Sequence, residues 1–240
     1  GRSEFRRGML LWMSHPAWPS MVWQTYDYFF DPTAAYFGCK KASEPLHIQW
    51  NPVYQTIEVV NLHAGAREGL RAHAQIINTD GSVQWEKDTL VNSQEDSTVK
   101  CFRLEFPQTL SDVHFIKLTL YGNDRILSEN FYWRGLEEGN LKALHNLAKV
   151  KLRTITKYKK VGDQWKLTTT LVNSSETPCL MVRLKVTGKK SGERILPVFF
   201  SDNYVSLMPG ETRTITMSLK QQDTRGEKPC VVISGFNYEE

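Results

Sequence analysis

Trp12, Trp18 and Trp23 stand with Tyr26, Tyr28, Phe29, Phe30, Tyr36 and Phe37 in the first 43 residues, an aromatic density that no later segment matches. An indole face is a surface on which the C–H face of a sugar stacks, so a tryptophan at a strand end reads as a saccharide platform. Trp12 sits near the end of an apolar run and Trp18 lies in the loop after it, which makes these two the candidate sugar contacts. For Trp23 and Tyr26, at helical spacing, packing is the better reading. A second candidate is the loop Ser201-Asp202-Asn203-Tyr204, between the apolar Leu196–Phe200 and the Pro209-Gly210 turn. Tyr204, with Asp202 and Asn203, can meet sugar hydroxyls from such a loop on a rigid scaffold. Turn chemistry accounts for the same residues, because Asp and Asn bond their own backbone and Tyr packs its ring while its hydroxyl stays wet. Both readings stand on sequence.

Other chemistry is harder to find. The chain has no Gly-rich phosphate loop, no G-x-S-x-G and no H-E-x-x-H, so no cofactor is expected. Without a C-x-x-C pair a structural zinc site has nothing to build on, and no metal is expected. The six histidines are dispersed, and His47 and His73 read as half-exposed strand residues. Glycoside hydrolysis needs two facing carboxylates, and no pair announces itself. Asp27 and Asp31, in the aromatic segment, read as helix cap or salt-bridge partners. Cys39, Cys101, Cys179 and Cys230 allow three pairings and read as buried thiols; Cys179 with Cys230 is the pair that would bond first.

Thirty basic and 26 acidic residues give a net charge of +4, scattered rather than striped, which argues against a nucleic-acid partner. The run Met9-Leu10-Leu11-Trp12-Met13 is far short of the about 20 residues that cross a bilayer, so no membrane partner is expected. The opening residues do not read as a signal peptide, and none is expected.

The elements that would position these residues follow from periodicity. Gly8–Met13 is a short apolar run of the kind buried on both faces in a parallel sheet. Asp31-Pro32 reads as an N-cap and first helical position, with the helix running to Lys40-Lys41. From Glu44 the period becomes two. Leu46–Ile48, Thr56–Val60, Leu70–Ile76, Val99–Phe106, Ile116–Leu120, Ile126-Leu127 and Asn130–Trp133 predict an immunoglobulin-like β-sandwich, with turns at Thr79–Ser82 and Gly122–Asp124. Residues 134–140 read as a linker, and Asn140 as the cap of a short helix over Leu141–Leu147. Trp165–Thr169, Val182–Val186 and Thr212–Leu219 predict a second sandwich, with turns at Lys160–Asp163, Gly188–Gly192 and Pro209–Glu211. The fold class expected is mainly β: two immunoglobulin-like sandwiches preceded by a β/α unit.

Several stretches are more specific. Trp12-Met13-Ser14-His15-Pro16-Ala17-Trp18-Pro19-Ser20, then Trp23–Tyr28, Pro32–Ala42 and Glu44-Pro45-Leu46 resemble the last strand and helix of the catalytic barrel of glycoside hydrolase family 2. Asn130-Phe131-Tyr132-Trp133, Ser201–Tyr204 and Leu207–Glu211 are similar to the branch of exo-β-D-glucosaminidases, β-mannosidases and endo-β-mannosidases. The resemblance implies that residues 1–43 are a remnant of a (β/α)8 (TIM) barrel, that 44–135 and 136–240 are Ig-like sandwiches, and that both catalytic carboxylates lie upstream of Gly1. It implies no catalytic residue in this chain, an upstream barrel of the same protein as its partner, a saccharide as ligand of the intact enzyme, and a secreted or periplasmic parent. The function expected is an accessory C-terminal region of a retaining exo-acting β-glycosidase. The alternative is a stand-alone carbohydrate-binding or adhesion-type sandwich module.

Overall fold

The structure is a computed structural model that describes residues 10–20 and 23–240. It divides into two compact units, one built on residues 10–12 and 38–146 and the other on 13–37 together with 147–240.

The first unit is a seven-stranded sandwich. One sheet has the order β4-β3-β6-β7, with β3 Arg67–Asn78, β4 Val83–Ser93, β6 Val113–Gly122 and β7 Arg125–Gly135; the other has the order β1-β2-β5, with β1 Leu46–Asn51, β2 Thr56–Asn61 and β5 Ser97–Arg103. Alternation fixes which face is buried. Leu70, Ala72, Ala74 and Ile76 of β3 and Ile116, Leu118 and Leu120 of β6 face Ile48, Trp50, Ile57 and Val59 across the core. Ala72 registers with Leu120 and Ala74 with Leu118, so each small side chain leaves room for a large one. Asn123 and Asp124 both take positive φ, the two-residue turn whose twist matches the β6–β7 hairpin. The outer edge of β1 is closed by side chains of β7: the Ile48 N–H donates to Ser128 Oγ and the Trp50 N–H to the Tyr132 hydroxyl, both at 3.1 Å.

The second unit repeats the plan. Its sheets have the orders β11-β13-β9-β8 and β12-β10-β14, from β8 Arg153–Val161, β9 Gln164–Val172, β10 Cys179–Gly188, β11 Phe199–Phe200, β12 Val205–Leu207, β13 Thr212–Lys220 and β14 Pro229–Ser234. Leu167, Leu171, Ile215, Met217 and Leu219 from one sheet meet Val182, Leu184 and Val186 from the other.

Several expectations need correction. Leu10–Met13 form no strand, and Gly8 and Met9 lie outside the described residues. An apolar strand of parallel type has its backbone groups paired on both sides, and no neighbouring parallel strand accompanies it among the described residues. The described fold is mainly β with Ig-like domains. Helix α1, Ala34–Ala42, starts later than expected: Thr33, not Asp31, accepts from the first helical amides of Tyr36 and Phe37. Trp23 and Tyr26 precede the helix rather than lying on one, and Trp23 is exposed. The linker is shorter than residues 134–140, because β7 runs through Gly135. The short helix after it is a 3-10 turn, Lys142–Asn146, and Asn140 Oδ1 does accept from the Lys142 N–H. All four cysteines are free thiols, of which Cys179 alone is fully buried. No helix among the described residues is long and apolar enough to cross a membrane.

Candidate functional site

Residues 13–37 of the aromatic segment and the loop 201–204 belong to the second unit, and one carboxylate organises them. Asp31 Oδ2 lies 3.2 Å from Arg183 Nη2, 3.2 Å from Arg194 Nη1 and 3.9 Å from Lys185 Nζ. Only the Arg183 contact has hydrogen-bond geometry; Arg194 Nη1 is held by charge alone. Arg183 and Lys185 reach Asp31 from one face of β10 by strand alternation. Burial, reinforced by the neighbouring Arg183, pulls the Lys185 pKa below its ordinary value. Asp31 is thus the salt-bridge partner, not the helix cap, of the two roles open to it. Asp27 turns its Oδ1 onto the amides of Phe29 and Asp31, each at 2.9 Å, which fixes the turn that delivers Asp31.

Around this hub the rings are ordered. The Tyr204 ring packs 5.9 Å from Phe37 and lies under the Arg183 guanidinium at 5.5 Å. Its hydroxyl donates to the Pro32 carbonyl over a long 3.5 Å, and burial raises its pKa above the usual 10. The Arg194 guanidinium covers Phe29 at 4.7 Å, and His15 stacks on Phe30 at 4.2 Å.

The five candidate sugar contacts are placed as follows. Trp12 and Trp18 are 82% and 68% exposed, so both indole faces are open to a ligand or a partner. Asn203 is buried, with its Oδ1 accepting from the Leu184 and Tyr204 amides and its Nδ2 donating to the Leu184 carbonyl. Asp202 is half-buried and accepts the Asn203 N–H at 2.9 Å. Tyr204 is half-buried, with its hydroxyl turned to Pro32. The structure therefore brings Tyr204 to the base of the aromatic segment, while Asn203 bonds the backbone of β10 and Asp202 the Asn203 amide. Arg183, Lys185 and Arg194 were missed by sequence reasoning. The alternation of Arg183 and Lys185 on β10 was visible, but their partner 150 residues earlier was not.

Residues 130–238 match the exo-β-D-glucosaminidase Ig-fold domain, and residues 56–135 the mannosidase Ig/CBM-like domain. The two sandwiches of this chain are Ig-like domains of the exo-β-D-glucosaminidase and mannosidase branch of glycoside hydrolase family 2. Within this branch it is 32% identical to the exo-β-D-glucosaminidase of Streptomyces avermitilis, over 96% of this chain and 28% of that protein. It is 27% identical to the mannosylglycoprotein endo-β-mannosidase of Lilium longiflorum, over 97% of this chain and 31% of the other. The crystal structure of the exo-chitosanase of Amycolatopsis orientalis superposes with a TM-score of 0.87 at 29% identity, covering 95% of this chain and 29% of that one. The chain thus spans less than a third of these family 2 relatives and is homologous to their C-terminal Ig-like region.

Proposed function

We propose that this chain is the accessory C-terminal region of a retaining, exo-acting β-glycosidase of the exo-β-glucosaminidase or β-mannosidase type. In this reading residues 1–43 complete a (β/α)8 barrel, residues 44–135 and 136–240 are the two accessory sandwiches, and the catalytic carboxylates stand on barrel strands contributed from outside this chain. The saccharide then meets Trp12 and Trp18 at the mouth of the completed barrel.

One observation carries the reading. In the second unit, residues 13–37 are locked at their base, through Asp31, Arg183 and Arg194, yet present Trp18, Trp23 and Phe30 outward. An anchored segment with an open apolar face is shaped for a neighbour, since a monomer gains nothing by exposing so many large rings together. The acids of the segment are also spent: Asp31 on guanidinium groups and Asp27 on its own turn. A retaining pair needs two carboxyl groups about 5 Å apart with one free to attack.

The test uses a nitrophenyl β-D-glucosaminide and the matching mannoside. The purified 240-residue chain is expected to turn over neither, and the same chain fused to the upstream barrel of a family 2 relative is expected to hydrolyse one of them. Turnover by the chain alone that survives a contaminant control overturns the proposal.

A further inference from the structure

In the second unit, the outward face of the β11-β13-β9-β8 sheet carries cations and no acid. Strand alternation and register fix its two faces. Leu167, Leu171, Ile215, Met217 and Leu219 turn to the core. Arg153, Lys157 and Lys159 of β8, Lys166 of β9 and Lys220 of β13 therefore turn the other way, and all are exposed. No Asp or Glu occurs in any of the four strands; Asp163, Asp202 and Glu211 stand in the loops that flank them. None of these cations is ion-paired among the described residues. They are scattered along the sequence, and only the pairing of the strands gathers them.

Two features of this face cost stability. Lys159 stands directly opposite Lys166 in the β8–β9 register, with Lys157 two residues along on the same side. Like charges directly opposite destabilise a strand pair. Outward residues are about 7 Å apart along a strand and strands about 5 Å apart, so the three ammonium groups repel one another within about a Debye length. Phe199 of β11 pairs with Ser218 and so points out on the same face, where it is 68% exposed. Ile155 and Val161 of β8 are exposed there as well. A partner that brings anions and a layer able to accept apolar side chains removes both costs. The Thr168 and Ser218 hydroxyls, in register beside these residues, can donate to its phosphate oxygens.

We propose that this sheet face docks on an anionic lipid surface, with Lys157, Lys159 and Lys166 on the headgroups and Phe199 at the boundary of the acyl layer. The layout of the charges selects this partner. They cover an area from β8 to β13, three strands wide, whereas a linear polyanion follows a line. A partner strand would pair along the open edge of β8, where the lysines discourage it. Single-stranded nucleic acid is held by bases stacked on aromatic rings, and the one aromatic residue of this face, Phe199, is on the strand farthest from β8. Adsorption of this kind needs no membrane-crossing helix. It goes beyond the accessory reading and does not rest on it.

The experiment is cosedimentation of the full 240-residue chain with phosphatidylcholine vesicles, without and with about 30% phosphatidylserine, at about 50 mM salt. Saturable binding to the anionic vesicles alone is expected, falling as salt rises. Replacing Lys157, Lys159 and Lys166 together with Gln is expected to weaken it about a hundredfold, since each basic residue near such a surface contributes about fivefold. The same loss of charge off the face, with Gln at Lys142, Lys189 and Lys190, is expected to weaken it no more than a few-fold. The first variant removes a repulsion between exposed side chains, so its unfolding midpoint in urea is expected to equal or exceed that of wild type. Phe199→Ser is expected to weaken vesicle binding about fivefold. No binding to anionic vesicles overturns the proposal, as does equal binding to neutral ones, which would assign the contact to the exposed tryptophans. Equal losses in the two lysine variants also overturn it, because net charge would then suffice without the face. Displacement from vesicles by soluble polyphosphate at equal phosphate concentration overturns it in favour of a linear polyanion.

Discussion

Asn203 grips the peptide of Leu184 from both sides: its Oδ1 accepts the Leu184 N–H at 2.8 Å and its Nδ2 donates to the Leu184 carbonyl at 2.9 Å. The side chain thereby continues the pairing of β10 on the side of β12, which registers with β10 only at Cys179 and Val182. Both residues are buried, so no water can replace Asn203 without opening the core. Asn203→Ala leaves one buried donor and one buried acceptor unpaired, at about 1–3 kcal/mol each. The variant is expected to lose about 2–5 kcal/mol in urea unfolding, with an unchanged slope. A loss below 1 kcal/mol would show that the loop can rearrange around the gap.

Asp31→Asn keeps the shape of the hub and removes the charge that Arg183, Arg194 and Lys185 surround. Breaking a buried ion pair costs about 3–5 kcal/mol, and the partial exposure of both arginines reduces that to about 2. The loss is expected to be local. Amide exchange should quicken over residues 26–37 while the strands of the second sandwich keep their protection, and equal quickening in β9 and β13 would contradict this.

His114 is buried with neither ring nitrogen hydrogen-bonded; the Ser111 carbonyl is near enough to favour a proton but lies outside bonding geometry. Burial, with the Arg134 charge adding to it, holds its pKa below the ordinary 6.5. A folded pKa below the unfolded one means that the unfolded chain binds the proton first as pH falls. The stability of the neutral form is therefore fully present above about pH 6.5 and is lost progressively below it. His114→Phe, beside the Phe106 ring, is expected to flatten the fall in denaturation midpoint between pH 7 and pH 5. Parallel pH profiles for the two proteins would remove His114 as the cause.

How much of this was legible in the sequence depends on how local the signal was. The β3 and β6 alternation and the Asn123-Asp124 turn are local and were read correctly. β4 and β8 were not read, because Glu86-Lys87-Asp88 and the lysines at 157, 159 and 160 interrupt the apolar rhythm. Those charges suit strands that lie at sheet edges, where they discourage pairing with another chain. His47 was read as half-exposed but is buried, with its ring nitrogens bonded to Glu44 and Asn130. The partners of Asp31 and Asn203 could not be read, since the first spans more than 150 residues and the second bonds backbone, which carries no sequence signature.

The exposed tryptophans make a prediction about association. Trp18, Trp23 and Phe30 leave the second unit an open apolar face, and Trp12 of the first unit is exposed as well. The chain at high concentration is expected to self-associate through this face. Replacing the three tryptophans with serine is expected to shift sedimentation toward the monomer without lowering the unfolding midpoint, because none of the three is buried. Association that persists in the triple variant would move the contact elsewhere.

Tyr204→Phe separates packing from recognition in the full-length enzyme. The ring is held between Phe37 and the Arg183 guanidinium, contacts that phenylalanine keeps. The hydroxyl reaches only the Pro32 carbonyl, and at 3.5 Å that bond is at the limit of what contributes. Its removal is expected to change stability by less than about 1 kcal/mol. With the hydroxyl turned toward Pro32, kcat/KM on a nitrophenyl glycoside is expected to stay within about twofold of wild type, since a bond made only to protein adds nothing to transition-state binding. A fall of about tenfold, equivalent to ~1.4 kcal/mol, would instead mean that the hydroxyl leaves Pro32 and bonds a sugar when the barrel is complete.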